Sequence, residues 1–282
     1  MGAFSVILTF VTPRLFFDTN ICHKVTAGEI PPDIWENTVE ALPQHFEYCI
    51  SPLTALETVH SLTTCSPKFF DRNRARVMHL TAVRNRLWLD YPIPFQRTAL
   101  TGLPTKNNWE IELNLTNLFA ILRWVENKQD LDRPVSLPYM TDSFGFRTRL
   151  GDALAMFREI KDLYASRMEY AQGQEAKNRR RRDYIDDVFR VTGLVQTEER
   201  IAAASEGLDA AFQFEYHLFS MLRSPYNFRA NTSDLIDAQQ LYYLLDPTLH
   251  FVTGDDRLVG YVRKSAQANR IMTFSQLLDV LR

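Results

Sequence analysis

Apolar residues fall into two kinds of pattern along this chain. Near both ends there are short runs without alternation: Leu15–Phe17, Tyr48–Ile50, Leu249–Val252 and Ile271–Phe274. Such runs read as strands buried on both faces, as in a parallel sheet. Helical patterns follow most of them. In "SPLTALETVHSL", Ser51 is a good N-cap, Pro52 suits the first helical position, and Leu53, Leu56 and Val59 keep helical spacing. "RANTSDLIDAQQLYYLL" predicts a helix from about Ser233 to Leu245, stopped before Asp246-Pro247. "LHFVTGDDRLVGYVRK" reads as strand, turn and helix.

The middle of the chain, from about Pro67 to Arg229, is mostly helical in pattern. Its longest periodic stretches are "NLTNLFAILRWVENK", "RLGDALAMFREIKDLYASRMEYAQ" and "GLDAAFQFEYHLFSMLRS". Turn-like breaks fall at Tyr91–Pro94, Thr101–Asn108 and Leu131–Gly145. A weak strand around Leu87–Leu89 is a further candidate for the sheet. The expected architecture is α/β: a central parallel sheet flanked by helices, built from residues 1–66 and 230–282, with a mostly α-helical insertion, 67–229, packed on it. The apolar opening "MGAFSVILTFVTP" lacks a basic lead-in and is too short to span a membrane, so it reads as an extra strand or an apolar tail.

Composition narrows the classes. With 45% hydrophobic residues and 12% aromatics in 282 residues, the chain is expected to fold over most of its length. A net charge of −2 gives no global basic signature, so a nucleic-acid partner would require a local basic face. Cys22, Cys49 and Cys65 form no zinc-type spacing, and their odd number suggests reduced thiols in a cytoplasmic protein. The six histidines are scattered, without a two-histidine helical metal motif.

Chemistry enters with "RLFFDTNICHKV". Asp18 stands where an apolar strand runs out, and the carboxyl ends of parallel strands are where open α/β sheets bind ligands. Three further acids sit at, or within a turn or so of, such ends. Glu57 lies in the second turn of the helix after Ile50, Asp237 on the helix before the fourth run, and Asp255 directly after that run. Asp234 shares a helical face with Asp237. Carboxylates gathered in one crevice repel, and burial raises the cost of each charge. A hard divalent cation, Mg²⁺ or Mn²⁺, resolves the conflict and supports phosphodiester hydrolysis.

At these residues the sequence resembles the PIN-domain nucleases. "FFDTNI", "ISPLTALE", "DAQQLYYL" and "FVTGDD" follow the order of that family's four signatures, over about 110 residues at the two ends of the chain. Asp18, with Thr19 and Asn20, matches the first acid; Glu57, preceded by Ser51 and Thr54, the second; Asp237 the third; Thr253 and Asp255 the last element. The resemblance implies a three-layer PIN-like fold and a metal-dependent ribonuclease, in which Asp18, Glu57, Asp237 and Asp255 hold one or two Mg²⁺ or Mn²⁺ ions. Asn20 and Thr253 would orient ligands or water by hydrogen bonding, with Asp234 and Asp256 as further supporting acids. The implied partner is nucleic acid, RNA first, with no membrane. A homodimer is left open, and an antitoxin partner is at odds with the length of the insertion. Two departures stand out: Gln239, Gln240 and Tyr242 are larger than the residues usual after the third acid, and Arg257 occupies a position that often carries a further acid, which here falls at Asp256.

Plainer readings compete. Asp18 is a common residue type for a strand-end turn, Asp234 and Asp256 for a helix start, and Glu57 for a solvated helix face. The four arginines of "KNRRRRDYIDD" spread around a helix instead of forming one face. Arg72 and Arg76, in "DRNRARVMHLTAVRNR", are better placed to line one side of a helix, where salt bridges are an equal expectation. Phe212, Phe214, Tyr216, Tyr242 and Tyr243 are expected in the core. Cys22 and His23 are not paired as nucleophile and base. Two other functions are carried: a PIN-like module that binds RNA or protein without cutting, and phosphomonoester transfer of the haloacid-dehalogenase type. The latter requires a second acid two residues beyond the first, where this chain has Asn20.

Overall fold

The computed structural model describes residues 12–103, 112, 122, 125–131, 174–221 and 232–282. The opening apolar stretch through residue 11, most of the helical pattern at 114–128, all of that at 149–172, and most of the breaks at 101–108 and 131–145 lie outside the described residues.

The chain enters through β1 (Arg14–Phe17), α1 (Thr19–Ala27), α2 (Pro32–His45), β2 (Glu47–Ile50), α3 (Pro52–Thr64), α4 (Phe70–Leu80), β3 (Leu87–Trp88) and α5 (Pro92–Leu100). It continues in α6 (Gln174–Thr192), α7 (Glu198–Gly207), α8 (Asp209–Met221) and α9 (Thr232–Gln240). A 3₁₀ segment (Leu241–Leu245), β4 (Leu249–Thr253), α10 (Asp256–Val262), β5 (Ile271–Thr273) and α11 (Phe274–Val280) complete it. The helix expected to run to Leu245 thus tightens into 3₁₀ geometry after Gln240.

All five strands are parallel, in the order β3-β2-β1-β4-β5. β1 is central: Leu15 pairs with Tyr48 on one side and His250 on the other, and Phe17 pairs with Val252. The fold is therefore α/β, and the weak strand expected near Leu87 is its edge. That edge lies past residue 66, and α4 packs on α1 and α3. The sheet unit consequently extends beyond the boundary the apolar pattern suggested.

Alternate residues of β1 anchor both faces, as the period of two demands. Phe16 stacks on Phe251 with ring centroids 4.9 Å apart and meets Tyr243 edge-on. Phe17 points the other way, against Trp35 and Tyr48. Leu15, Phe16 and Phe17 are buried, which explains why the run has no polar alternation. At the amino edge of the sheet the Arg14 guanidinium pairs with Asp246 and donates to the Thr248 hydroxyl at 3.0 Å, fixing the start of β4 beside β1.

The described helices of the middle segment pack on this unit. α8 lies against α10, and α7 against the 3₁₀ segment. Phe212, Phe214 and Tyr243 are core residues, as expected, and Tyr242 donates to Glu215 at 2.8 Å. The arginine run of α6 serves structure: Arg181 pairs with Asp209 at 3.0 Å and donates to the Ser205 carbonyl, while Arg179 reaches Glu175 at 3.9 Å. Among the described residues no helix is long and apolar enough to cross a membrane.

Candidate active site

The strand order reverses at β1: β2 and β3 lie to one side, β4 and β5 to the other. Crevices outside the carboxyl ends of strands open at such switch points. Asp18 follows β1 directly, and its backbone N–H continues the ladder by donating to the Val252 carbonyl at 2.8 Å. It occupies the N-cap position of α1, yet its side chain accepts no capping hydrogen bond. The carboxylate instead accepts from the Thr253 hydroxyl at 2.8 Å and from the Asn20 amide at 2.9 Å, both on Oδ2. Asp18 is 1% exposed. Burial pushes its carboxyl above the usual range, against the hydrogen bonds from Thr253 and Asn20, which favour the charged form.

Thr253, the last residue of β4, bridges two acids. It donates to Asp18 and accepts from the backbone N–H of Asp255 at 3.0 Å. Gly254 between them is tightly placed: a Cβ there would lie 3.1 Å from Lys24 Cε and 3.2 Å from Asn20 Cβ. Asp255 caps α10, accepting from the Arg257 N–H at 2.8 Å, and its two oxygens also engage the Arg257 guanidinium at 3.2 and 3.0 Å. Partial burial works to raise the Asp255 carboxyl, but the Arg257 contacts outweigh it and hold the group below the usual range.

Glu57 arrives on α3. Ser51 caps that helix, accepting from the N–H groups of Leu53 and Thr54 at 3.1 and 3.3 Å, as its sequence position predicts. Thr54 donates to the Phe17 carbonyl at 3.1 Å and accepts from the Gln240 amide at 3.1 Å. One buried hydroxyl thus ties α3 and α9 to the end of β1. Glu57 is one turn beyond Thr54, and Asp237 one turn before Gln240. Burial raises the Glu57 carboxyl to about 7; the Thr19 hydroxyl opposes the shift, the negative charge of Asp18 adds to it, and Arg76 opposes it.

The structure therefore brings Asp18, Asn20, Thr253, Glu57 and Asp255 to one end of the sheet. Asp237 is buried on α9. Asp234 lies on the same helix, its side chain outside the described residues. Asp256 is exposed in the first turn of α10, where its charge complements the helix N-terminus. Among the described residues no three His, Cys, Asp or Glu side chains are grouped closely enough to hold a metal ion. Both oxygens of Asp255 are engaged by Arg257.

An open cavity of about 430 Å³ lies beside Asp255, with Asn20 and Gly254 also in its wall. Its remaining lining was only partly legible. Arg72 and Arg76 were singled out by sequence, whereas His23, Lys24 and Arg257 were not assigned to a site. The missed signal is helical spacing: Asn20, His23, Lys24 and Ala27 recur at one face of α1 and all line the cavity. Cys22, on the neighbouring face, is inert, since burial pushes its thiol up to about 12.

No family model, curated protein or solved structure matches this chain.

Proposed function

We propose that this protein is a PIN-like metal-dependent nuclease that hydrolyses phosphodiester bonds, with RNA as the expected substrate. The observation that carries the reading is the Asp18–Glu57 pair. Two carboxyl groups from different elements, Asp18 buried and Glu57 half-buried, stand near the switch point of a parallel sheet, each raised by burial, and Asp18 adds to the shift of Glu57. An arrangement that costs stability in the charged form is expected where a cation is to be held. The donors are hard oxygens, and the thiol nearby is unreactive, which fits Mg²⁺ or Mn²⁺ and not a softer metal.

In this reading Asp18 and Glu57 would hold the cation, with Asp255 and Asp237 as the further expected ligands. When bound, such a cation acidifies a water and offsets charge developing on a phosphate oxygen. Asn20 and Thr253 keep Asp18 oriented by donating to one of its oxygens. The Thr54–Gln240 contact holds α3 and α9 to β1, and so sets where Glu57 and Asp237 stand.

The test is incubation of purified protein with single-stranded and structured RNA, with Mn²⁺ or with EDTA. Cleavage is expected with metal, absent in EDTA, and lost in Asp18→Asn. Cleavage that persists in EDTA or in the variant overturns the metal mechanism. A second reading, a PIN-like module that binds RNA or protein without cutting, is favoured by the Arg257 guanidinium on Asp255 and by the missing three-acid group among the described residues. Calorimetric titration showing no Mn²⁺ site would select it.

A further inference from the structure

The cavity beside the acids is built between α1 and α4 and carries an excess of positive charge. Lys24, Arg72, Arg76 and Arg257 line it, against the carboxylates of Glu29 and Asp255. Arg257 is engaged with Asp255, and Arg76 donates to the Asn73 side chain at 2.7 Å. Arg72 and Lys24 make no ion pair among the described residues. Arg72 and Arg76 are four residues apart on one helix, the spacing at which like charges destabilise. Burial lowers Arg76 from its ordinary value, and the charge of Arg72 lowers it further.

Two buried polar atoms in this wall have no hydrogen-bond partner among the described residues: His23 Nε2 and Arg76 Nε. Buried donors and acceptors are nearly always satisfied, and both side chains line the cavity, so a turn of the His23 ring into it is what would give its nitrogen a partner. Burial, with Arg76 and Arg72 beside it, lowers His23 to about 4, which leaves a neutral imidazole at neutral pH. A neutral ring among cations neither adds to their repulsion nor needs a counter-ion, and as the Nε2–H tautomer it donates to an acceptor.

We propose that this groove is a phosphate subsite for single-stranded nucleic acid, in which Arg72, Arg76 and Lys24 take the phosphate adjoining the one presented to Asp18, and His23 Nε2 donates to it. The assignment rests on the nuclease reading for its register and on the groove for its chemistry. A phosphate oxygen offsets the repulsion between Arg72 and Arg76, and a His23 ring turned towards it gains an acceptor for Nε2. The size also fits, since about 430 Å³ is within the range of small-ligand sites and suits one nucleotide unit better than a folded partner.

The experiment measures binding without cleavage. The full chain, in EDTA, is titrated against a short single-stranded RNA carrying a 3′ fluorophore, followed by anisotropy at several salt concentrations. Wild type is expected to bind with an affinity that falls linearly in log–log form with salt. Arg72→Ala, at an exposed position on α4, is expected to weaken binding about tenfold and to reduce the slope by about 0.7, the share of one phosphate contact. His23→Leu weakens binding severalfold and leaves the slope unchanged, because the side chain is neutral; His23→Gln, which keeps a donor, restores part of the loss. Arg182→Ala, exposed on α6, changes neither. Inorganic pyrophosphate competes with the RNA for wild type and much less for Arg72→Ala. Thermal melts matching wild type establish that the variants are folded, and should His23→Leu melt early, the Arg72 and His23→Gln arms decide the matter. Absence of RNA binding, or equal losses in Arg72→Ala and Arg182→Ala, overturns the subsite. Because the readout needs no cleavage, a protein that binds in this way but never cuts with Mn²⁺ discards the nuclease reading alone. One that cuts with unchanged KM in Arg72→Ala discards the groove alone.

Discussion

Replacing Glu57 by Gln should make the metal-free protein more stable, and only above a certain pH. Glu57 stands at about 7 against an ordinary 4.5, with burial the first cause and Asp18 an additional one. In the window between those values the unfolded chain ionises while the folded protein keeps its proton. The native state then binds more protons, and stability falls as pH rises. At about 1.4 kcal/mol for each tenfold in proton affinity, the full penalty is about 3 kcal/mol, reached above about pH 7. Most of it, about 2–3 kcal/mol, accrues between about pH 5 and pH 8. Glutamine has nearly the same shape and no charge to lose. Urea unfolding of wild type and Glu57→Gln, across that range in EDTA, should show the two curves close at the acid end and separating towards pH 8, with the variant ahead. Adding Mn²⁺ should narrow the gap by stabilising wild type more, since ligand that binds only the native state adds to its stability. A stability difference that does not change with pH would refute the claim that Glu57 is held in a desolvated, acid-flanked position.

Three further outcomes follow from neighbouring contacts. Thr253→Val removes the hydroxyl that donates to Asp18 and accepts from the Asp255 N–H, and should cost about 1–3 kcal/mol in chemical denaturation, where an unchanged stability would mean that these contacts carry no weight. Arg257→Ala frees the Asp255 carboxylate, so calorimetry should give a Mn²⁺ affinity several times that of wild type, and an unchanged or weaker affinity would remove Asp255 from the ligand set. Gln240→Leu breaks the amide tie to Thr54, with an expected loss of about 1–2 kcal/mol in urea titrations and a larger proportional fall in RNA cleavage than in RNA binding.

The sheet was legible where apolar runs are uninterrupted. Phe16 and Phe17 need opposite faces of a doubly covered strand, and that demand is written directly in the lack of alternation. Ser51 and Pro52 likewise announce α3, because capping depends on local residues. The domain boundary was harder, since β3 has only two residues and too little pattern to set it apart from the helices around it. Gln240 illustrates a different limit. Its size looked like a departure from a family pattern, yet it is fully buried and satisfies Thr54, a relation between residues far apart in sequence that no local rule exposes. Arg257 was visible as an anomaly, but its grip on Asp255 follows from the turn into α10. The basic groove was half legible: Arg72 and Arg76 share a helix face by spacing, whereas their meeting with His23 and Lys24 depends on how α4 docks on α1.

The central position of β1 has a consequence for synthesis. One of its edges can pair with β2 soon after both leave the ribosome, but the other waits for residues 249–253, which emerge only after every helix from α4 to α9 has been made. Until then a strand that is apolar beyond Arg14 offers an open edge to any neighbour, a hazard that chaperones exist to cover. Thr253, which holds Asp18 in place, arrives at the same late moment. The pocket around Asp18 is therefore completed only once β4 has paired with β1.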